Sequence, residues 1–184
     1  MTTVVAPGAP LLAIDTSTSG TLVVACDGRG TIAQRRHQPA AGERPAHTTL
    51  GLVLAKQALD ELGLDWADLQ RIGVGTGPGS FTGLRAGLAA AAGLAQRLAI
   101  PLVGSTASAL LAAGADASHP GRPVLCVIDG RRRELFVERW TPRTAAGDGP
   151  LRRWECGGLT VVHRSAASEQ LGDLAGVLAV GDGA

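Results

Sequence analysis

Two stretches of this chain carry residues whose types and spacing could do chemistry. One is the turn Gly75-Thr76-Gly77-Pro78-Gly79-Ser80, which leads through Gly83 into a long Ala/Gly/Leu helix. Glycines allow φ > 0 and close backbone approach, and Ser80 is placed to cap the helix that follows. Such a turn can bind an anion on its amides, or it can be a packing device. The other stretch is Asp15-Thr16-Ser17-Thr18-Ser19-Gly20, an acid followed by four hydroxyls at the end of an apolar run. Asp15 could hold a hydrated Mg²⁺, or it could cap its own turn.

Several chemistries lack their parts. No Lys-Ser/Thr pair follows Gly79, so the turn is not a Walker A loop. It also lacks the dinucleotide glycine spacing. His37, His47, His119 and His163 form no HxxxH or HxxH pair, which leaves no signature for a metal-activated water. Ser80 has no evident base. Cys26, Cys126 and Cys156 are far apart and form no CxxC pair, which argues against a disulfide framework or a zinc site. Arg131-Arg132-Arg133 fits a phosphate contact or a solvated turn equally well.

Composition narrows the class further. The 184 residues are 45% hydrophobic with two Phe, three Trp and no Tyr, so the core is aliphatic and base stacking on aromatic platforms is disfavoured. A net charge of +1 gives no electrostatic reason to hold nucleic acid unaided. The start has no signal-peptide pattern, and the longest apolar run, Ala86 to Ala95, is too short to span a bilayer. The expectation is a cytoplasmic protein without membrane contact.

The elements that position these residues can be read from pattern. Leu11–Asp15, Thr21–Asp27 and Thr31–His37 read as strands, with Asp27-Gly28 turning a hairpin. A helix is expected from Ala46 to Leu62, a strand from Ile72 to Gly75, a helix from Ser80 to Leu98, a strand from Leu102 to Gly104 and a helix to about Ala115. PVLCVID (Pro123–Asp129) then repeats PLLAID (Pro10–Asp15), and Glu134–Trp140 answers Thr21–Asp27. The reading is a duplicated α/β unit of mixed sheets flanked by helices. Its parts are a disordered tail over 1–9, a first lobe over 10–115 and a second over 116–184. Thr144–Pro150 reads as a loop, and strands follow at Leu159–His163 and Val177–Val180. The chain stops just after the last of these, which reads as a truncated second lobe.

Both long helices carry more apolar surface than one sheet can cover. On the first, Leu50, Leu52, Leu54, Ala55, Ala58, Leu59 and Leu62 fill an arc of roughly 200°. On the second, Gly83, Gly87 and Ala91 recur every four residues and permit a close helix crossing. The surplus serves either other helices of the chain or a partner. The partner-facing set is expected to be His47, Leu50, Leu54, Gly83, Leu84, Gly87, Leu88 and Ala91.

VGTGPGSFTGLRAGLAAAAGLA (Val74–Ala95), with LLAIDTST (Leu11–Thr18), AHTTLGLVL (Ala46–Leu54) and VIDGRRRELFVERW (Val127–Trp140), resembles the bacterial TsaB family. The resemblance covers nearly the whole chain. It implies duplicated ribonuclease-H-like units of the actin, sugar-kinase and heat-shock ATPase superfamily. It implies a non-catalytic part in making N6-threonylcarbamoyladenosine at position 37 of tRNAs that read ANN codons. The implied partners are TsaD, as a heterodimer through the two long helices, and TsaE. A homodimer is implied in isolation, with tRNA reached only through the complex. Asp15, Thr16 and Ser17 then correspond to a phosphate hairpin in which Ser17 stands where glycine is usual. No metal or cofactor is implied, with residual ATP or ADP binding there as the open alternative. The competing readings are a small ATP-dependent kinase or nucleotide hydrolase of the same superfamily, and a glycoprotease-like peptidase.

Overall fold

The computed structural model describes residues 8–18, 20–40, 47–131, 133–143 and 154–184, without the side chains of residues 47–49, 116, 117 and 131. The expected loop at 144–150 and most of the expected tail lie outside the described residues. Ala9, assigned to that tail, is instead buried.

Apolar residues alternate along β1 (Leu11–Asp15) and β2 (Thr21–Cys26), burying Leu12, Ile14, Val23 and Ala25 on one face. This is the period-two pattern of a sheet with one covered side. β3 (Ile32–His37) completes an antiparallel meander. β4 (Arg71–Gly75) and β5 (Leu102–Ser105) add in parallel beside β1, giving the order β3-β2-β1-β4-β5. Two helices serve the crossovers, α1 (His47–Glu61) and α2 (Phe81–Leu98). Ala55, Ala58 and Leu59 of α1 and Ala91 and Ala95 of α2 share one core with Leu12, Ile14, Val23, Ile72 and Val74. Small residues at those helix positions let the backbones approach the sheet and each other closely.

The second sheet repeats this plan. β6 (Val124–Arg131), β7 (Glu134–Pro142) and β8 (Trp154–His163) form an antiparallel meander, and β9 (Leu178–Val180) runs parallel to β6. The order β8-β7-β6-β9 reproduces β3-β2-β1-β4. The register agrees at the repeated acid: Asp15 faces Leu22, the second residue of β2, and Asp129 faces Leu135, the second residue of β7. The chain is thus a duplicated α/β fold of two mixed sheets flanked by helices. β8 begins at Trp154, earlier than its apolar run, and a bulge at Gly158, with φ of +85°, shifts the alternation so that Trp154 and Val162 are buried on opposite faces of the sheet.

The chain divides into two compact units, the first ending at Ser105 and the second starting at Thr106. The boundary expected after residue 115 therefore moves. α3 (Ala107–Ser118) buries Ala109, Ala112 and Ala115 against Val124, Cys126, Trp140 and Trp154, so it packs with the second sheet. The opposite face of that sheet packs Leu125, Val127, Leu135, Val137 and Val162 against Leu171, Leu174 and Val177, after the short α4 (Ala167–Gln170). No described helix is long and apolar enough to cross a membrane.

Candidate docking site and the glycine turn

The glycine turn closes on the chain itself. The Ser80 N–H donates to the Ser17 carbonyl at 2.6 Å, and the Thr76 N–H donates to the Ser105 carbonyl at 2.9 Å. The Thr16 hydroxyl, buried, donates to the Gly83 carbonyl at 2.7 Å. The glycines are required by what they touch. A Cβ on Gly75 would lie 2.6 Å from the Asp15 carboxylate, one on Gly79 would overlap the Ser17 carbonyl, and one on Gly87 would overlap the Thr16 hydroxyl. Ser80 caps α2 by accepting from the Gly83 N–H at 3.3 Å, so its hydroxyl serves the helix.

Asp15, Thr16 and Ser17 are likewise turned onto the chain itself. Asp15 Oδ1 accepts from the Ser17 N–H at 2.7 Å, the local turn-capping geometry open to Asp. That engages an amide that a phosphate hairpin would offer outward. Ser17 itself is buried, and its hydroxyl has no hydrogen-bond partner among the described residues. Among the described residues there is no group of three His, Cys, Asp or Glu side chains that could hold a metal. In the second unit burial, followed by the Glu138 charge, pushes the Cys126 thiol up to about 12, and the thiol donates to the Ser108 carbonyl at 3.2 Å. The Ser108 hydroxyl in turn donates to Glu138.

The expected docking residues separate into two groups. Gly83, Gly87 and Ala91 are buried on the side of α2 that receives Thr16. The four-residue repeat of small side chains is therefore the inner face of the helix, and its place in a partner-facing set is corrected. Leu50, Leu54 and Leu84 are half-buried, and Leu88 is exposed at 38%. His47 opens α1, and its side chain lies outside the described part.

The expected set included the exposed Leu88 but not three other outward residues. Phe81 is 72% exposed, Leu52 44% and Val53 50%. Their signal lay in helix phase: once Gly83, Gly87 and Ala91 point inward, Phe81 and Leu88, seven residues apart, share an outer stripe. The Arg85 guanidinium lies over the Phe81 ring, 5.3 Å from its centroid, within cation–π range. α2 carries no acidic residue, and its two charges are Arg85 and Arg97. On α1, Lys56 pairs with Asp60, and Glu61 pairs with Arg35 of β3.

Residues 33–142, a span that includes α1, the glycine turn and α2, match the family model described as TsaD, tRNA N6-adenosine threonylcarbamoyltransferase. The chain is 34% identical over 90 residues to tRNA threonylcarbamoyladenosine biosynthesis protein TsaB of Escherichia coli K12, covering 49% of this chain and 39% of that protein. It is 31% identical over 145 residues to TsaB of Haemophilus influenzae, covering 78% of this chain and 59% of that protein. The chain belongs to the TsaB family.

A solved member of known fold agrees. YeaZ from Pseudomonas aeruginosa aligns with a TM-score of 0.70 and 26% identity, covering 84% of this chain and 67% of that one. This TsaB-family chain spans less than two thirds of the length of the two TsaB proteins that it matches.

Proposed function

We propose that the chain is the non-catalytic docking subunit of the machinery that installs N6-threonylcarbamoyladenosine in tRNA, and that it holds TsaD on the outer faces of α1 and α2. One observation carries this reading. Both helices have filled their inner faces with the chain's own core, yet Leu52, Val53, Phe81 and Leu88 remain exposed on the outside. Large apolar side chains left to solvent on both helices mark an interaction surface, and an exposed aromatic with a neighbouring Arg is the composition of an interface anchor. The engaged amide of Ser17 and the closed glycine turn favour scaffolding over phosphate chemistry. TsaE and tRNA are reached only through the complex, and in isolation the same helices support a homodimer.

The test is reconstitution of tRNA modification from TsaD, TsaE, tRNA and TsaC, the supplier of threonylcarbamoyl-adenylate, with and without this chain. Modification should require the chain, survive Asp15→Asn and be lost with Leu88→Arg, whose melting temperature should match the unmutated protein because the site is exposed. Phosphate release or peptide cleavage by the chain alone would overturn the scaffold reading in favour of an enzyme of the same superfamily.

A further inference from the structure

We infer that the outer face of α1 and α2 selects a foreign protein that sets a carboxylate over Arg85, and that a second copy of this chain is the poorer occupant. The inference rests on the docking reading above and adds what the partner must offer. Arg85 sits at the centre of the outward stripe of α2, stacked on Phe81 and between Phe81 and Leu88 in sequence. No ion pair to it is formed among the described residues. A partner that covers Phe81 and Leu88 must also cover the guanidinium. Removing that charge from water without an opposite charge is costly, whereas an Arg–carboxylate contact in the same place is directional and charge-assisted.

The first unit of a second copy, which carries this same patch, offers no uncommitted carboxylate among its described residues. Every acidic side chain described in the first unit is already engaged. Asp15 accepts from the Ser17 N–H, and Asp27 accepts from the Arg29 and Thr31 N–H groups. Asp60 pairs with Lys56, and Glu61 pairs with Arg35. Asp65 accepts from the Trp66 N–H, and Asp68 accepts from the Asp65 N–H. A two-fold dimer presents the same patch from both sides. It would bury two guanidinium groups and, from the described residues of the first unit, bring no uncommitted acid to either. A foreign apolar helix surface bearing Asp or Glu opposite Arg85 satisfies both the stripe and the charge.

Isothermal titration of the chain with purified TsaD at low and high salt, beside sedimentation of the chain alone, tests this. Arg85→Glu should weaken TsaD binding by about ten-fold or more. Arg85→Gln, which keeps a side-chain stem over Phe81, should remove most of the salt dependence of binding. Self-association should be unchanged or tighter in both variants. Leu88→Arg should abolish TsaD binding. If Leu88→Arg abolishes binding while Arg85→Glu binds within about two-fold of the unmutated chain, the carboxylate inference fails and the docking reading stands. If Leu88→Arg binds normally, the docking reading itself fails. Self-association weakened by Arg85→Gln would also overturn the inference, because it would mean that a second copy recognises the charge.

Discussion

Thr16 joins β1 to α2 through one hydroxyl. Its donation to the Gly83 carbonyl is buried and adds to the helical bond that carbonyl makes within α2, so Thr16→Val, which removes one buried hydrogen bond, should cost about 0.5–1.5 kcal/mol. Gly87→Ala should cost ~1–3 kcal/mol for a different reason, because its Cβ would overlap the Thr16 hydroxyl. The two effects share one space. Thr16→Ala vacates it, and the double variant Thr16→Ala/Gly87→Ala should therefore be less destabilised than the sum of its single changes, by an interaction of about 1 kcal/mol. Denaturant titration of the four proteins reads that coupling directly. Simple additivity would mean that the glycine is retained for reasons other than this contact.

At the level of elements, α2 is specified at both ends by different means. Ser80 caps its start, whereas it stops at Ala99, a non-glycine residue held in the left-handed region at φ of 55° with its N–H bonded to the Ala95 and Gln96 carbonyls. That conformation costs an L-residue roughly 1–2 kcal/mol, partly offset for glycine by its greater freedom in the unfolded chain. Ala99→Gly should therefore stabilise the protein by about 0.5–1 kcal/mol and raise Tm by roughly 1–4 °C. A scanning calorimeter distinguishes this from the loss expected of Gly in a helix interior. The same helix shows what could be read in advance. Its existence, its cap and its surplus of apolar surface follow from Ser80 and the Leu/Ala/Gly run. Which side faces out did not follow, because Ala and Gly are compatible with either face. The decision lies in non-local contacts, namely Thr16 to Gly83 and Ser17 to Ser80, which no periodicity encodes. Phe81 and Arg85 became legible as a surface only after those contacts fixed the helix phase.

For the whole molecule, the duplication was visible in PLLAID and PVLCVID, and the shared register of Asp15 and Asp129 makes it a structural fact. The two units have separate cores, and only the second contains a deeply buried thiol. Cys126, fully buried, has its pKa pushed from 9.0 up to about 12 by burial first and by Glu138 next. Between those values the native state holds a proton that the unfolded chain releases. The stabilisation is complete below about pH 9 and falls as pH rises toward 12. At about pH 10.5 the loss should approach ~2 kcal/mol, on the linkage of 1.4 kcal/mol per pH unit. The tryptophans make this measurable unit by unit. Trp66 packs against the first core, while Trp140 and Trp154 belong to a second-unit core that includes Cys126. In a Trp66→Phe background, fluorescence-detected denaturation reports the second unit, and its midpoint should fall between pH 8 and about pH 10.5. Cys126→Ala should flatten that dependence. A Trp140→Phe/Trp154→Phe background reports Trp66, whose transition should show no dependence on the Cys126 substitution if the first unit unfolds as its own cooperative body. A Cys126→Ala effect of equal size on Trp66 would show instead that the two cores unfold as one.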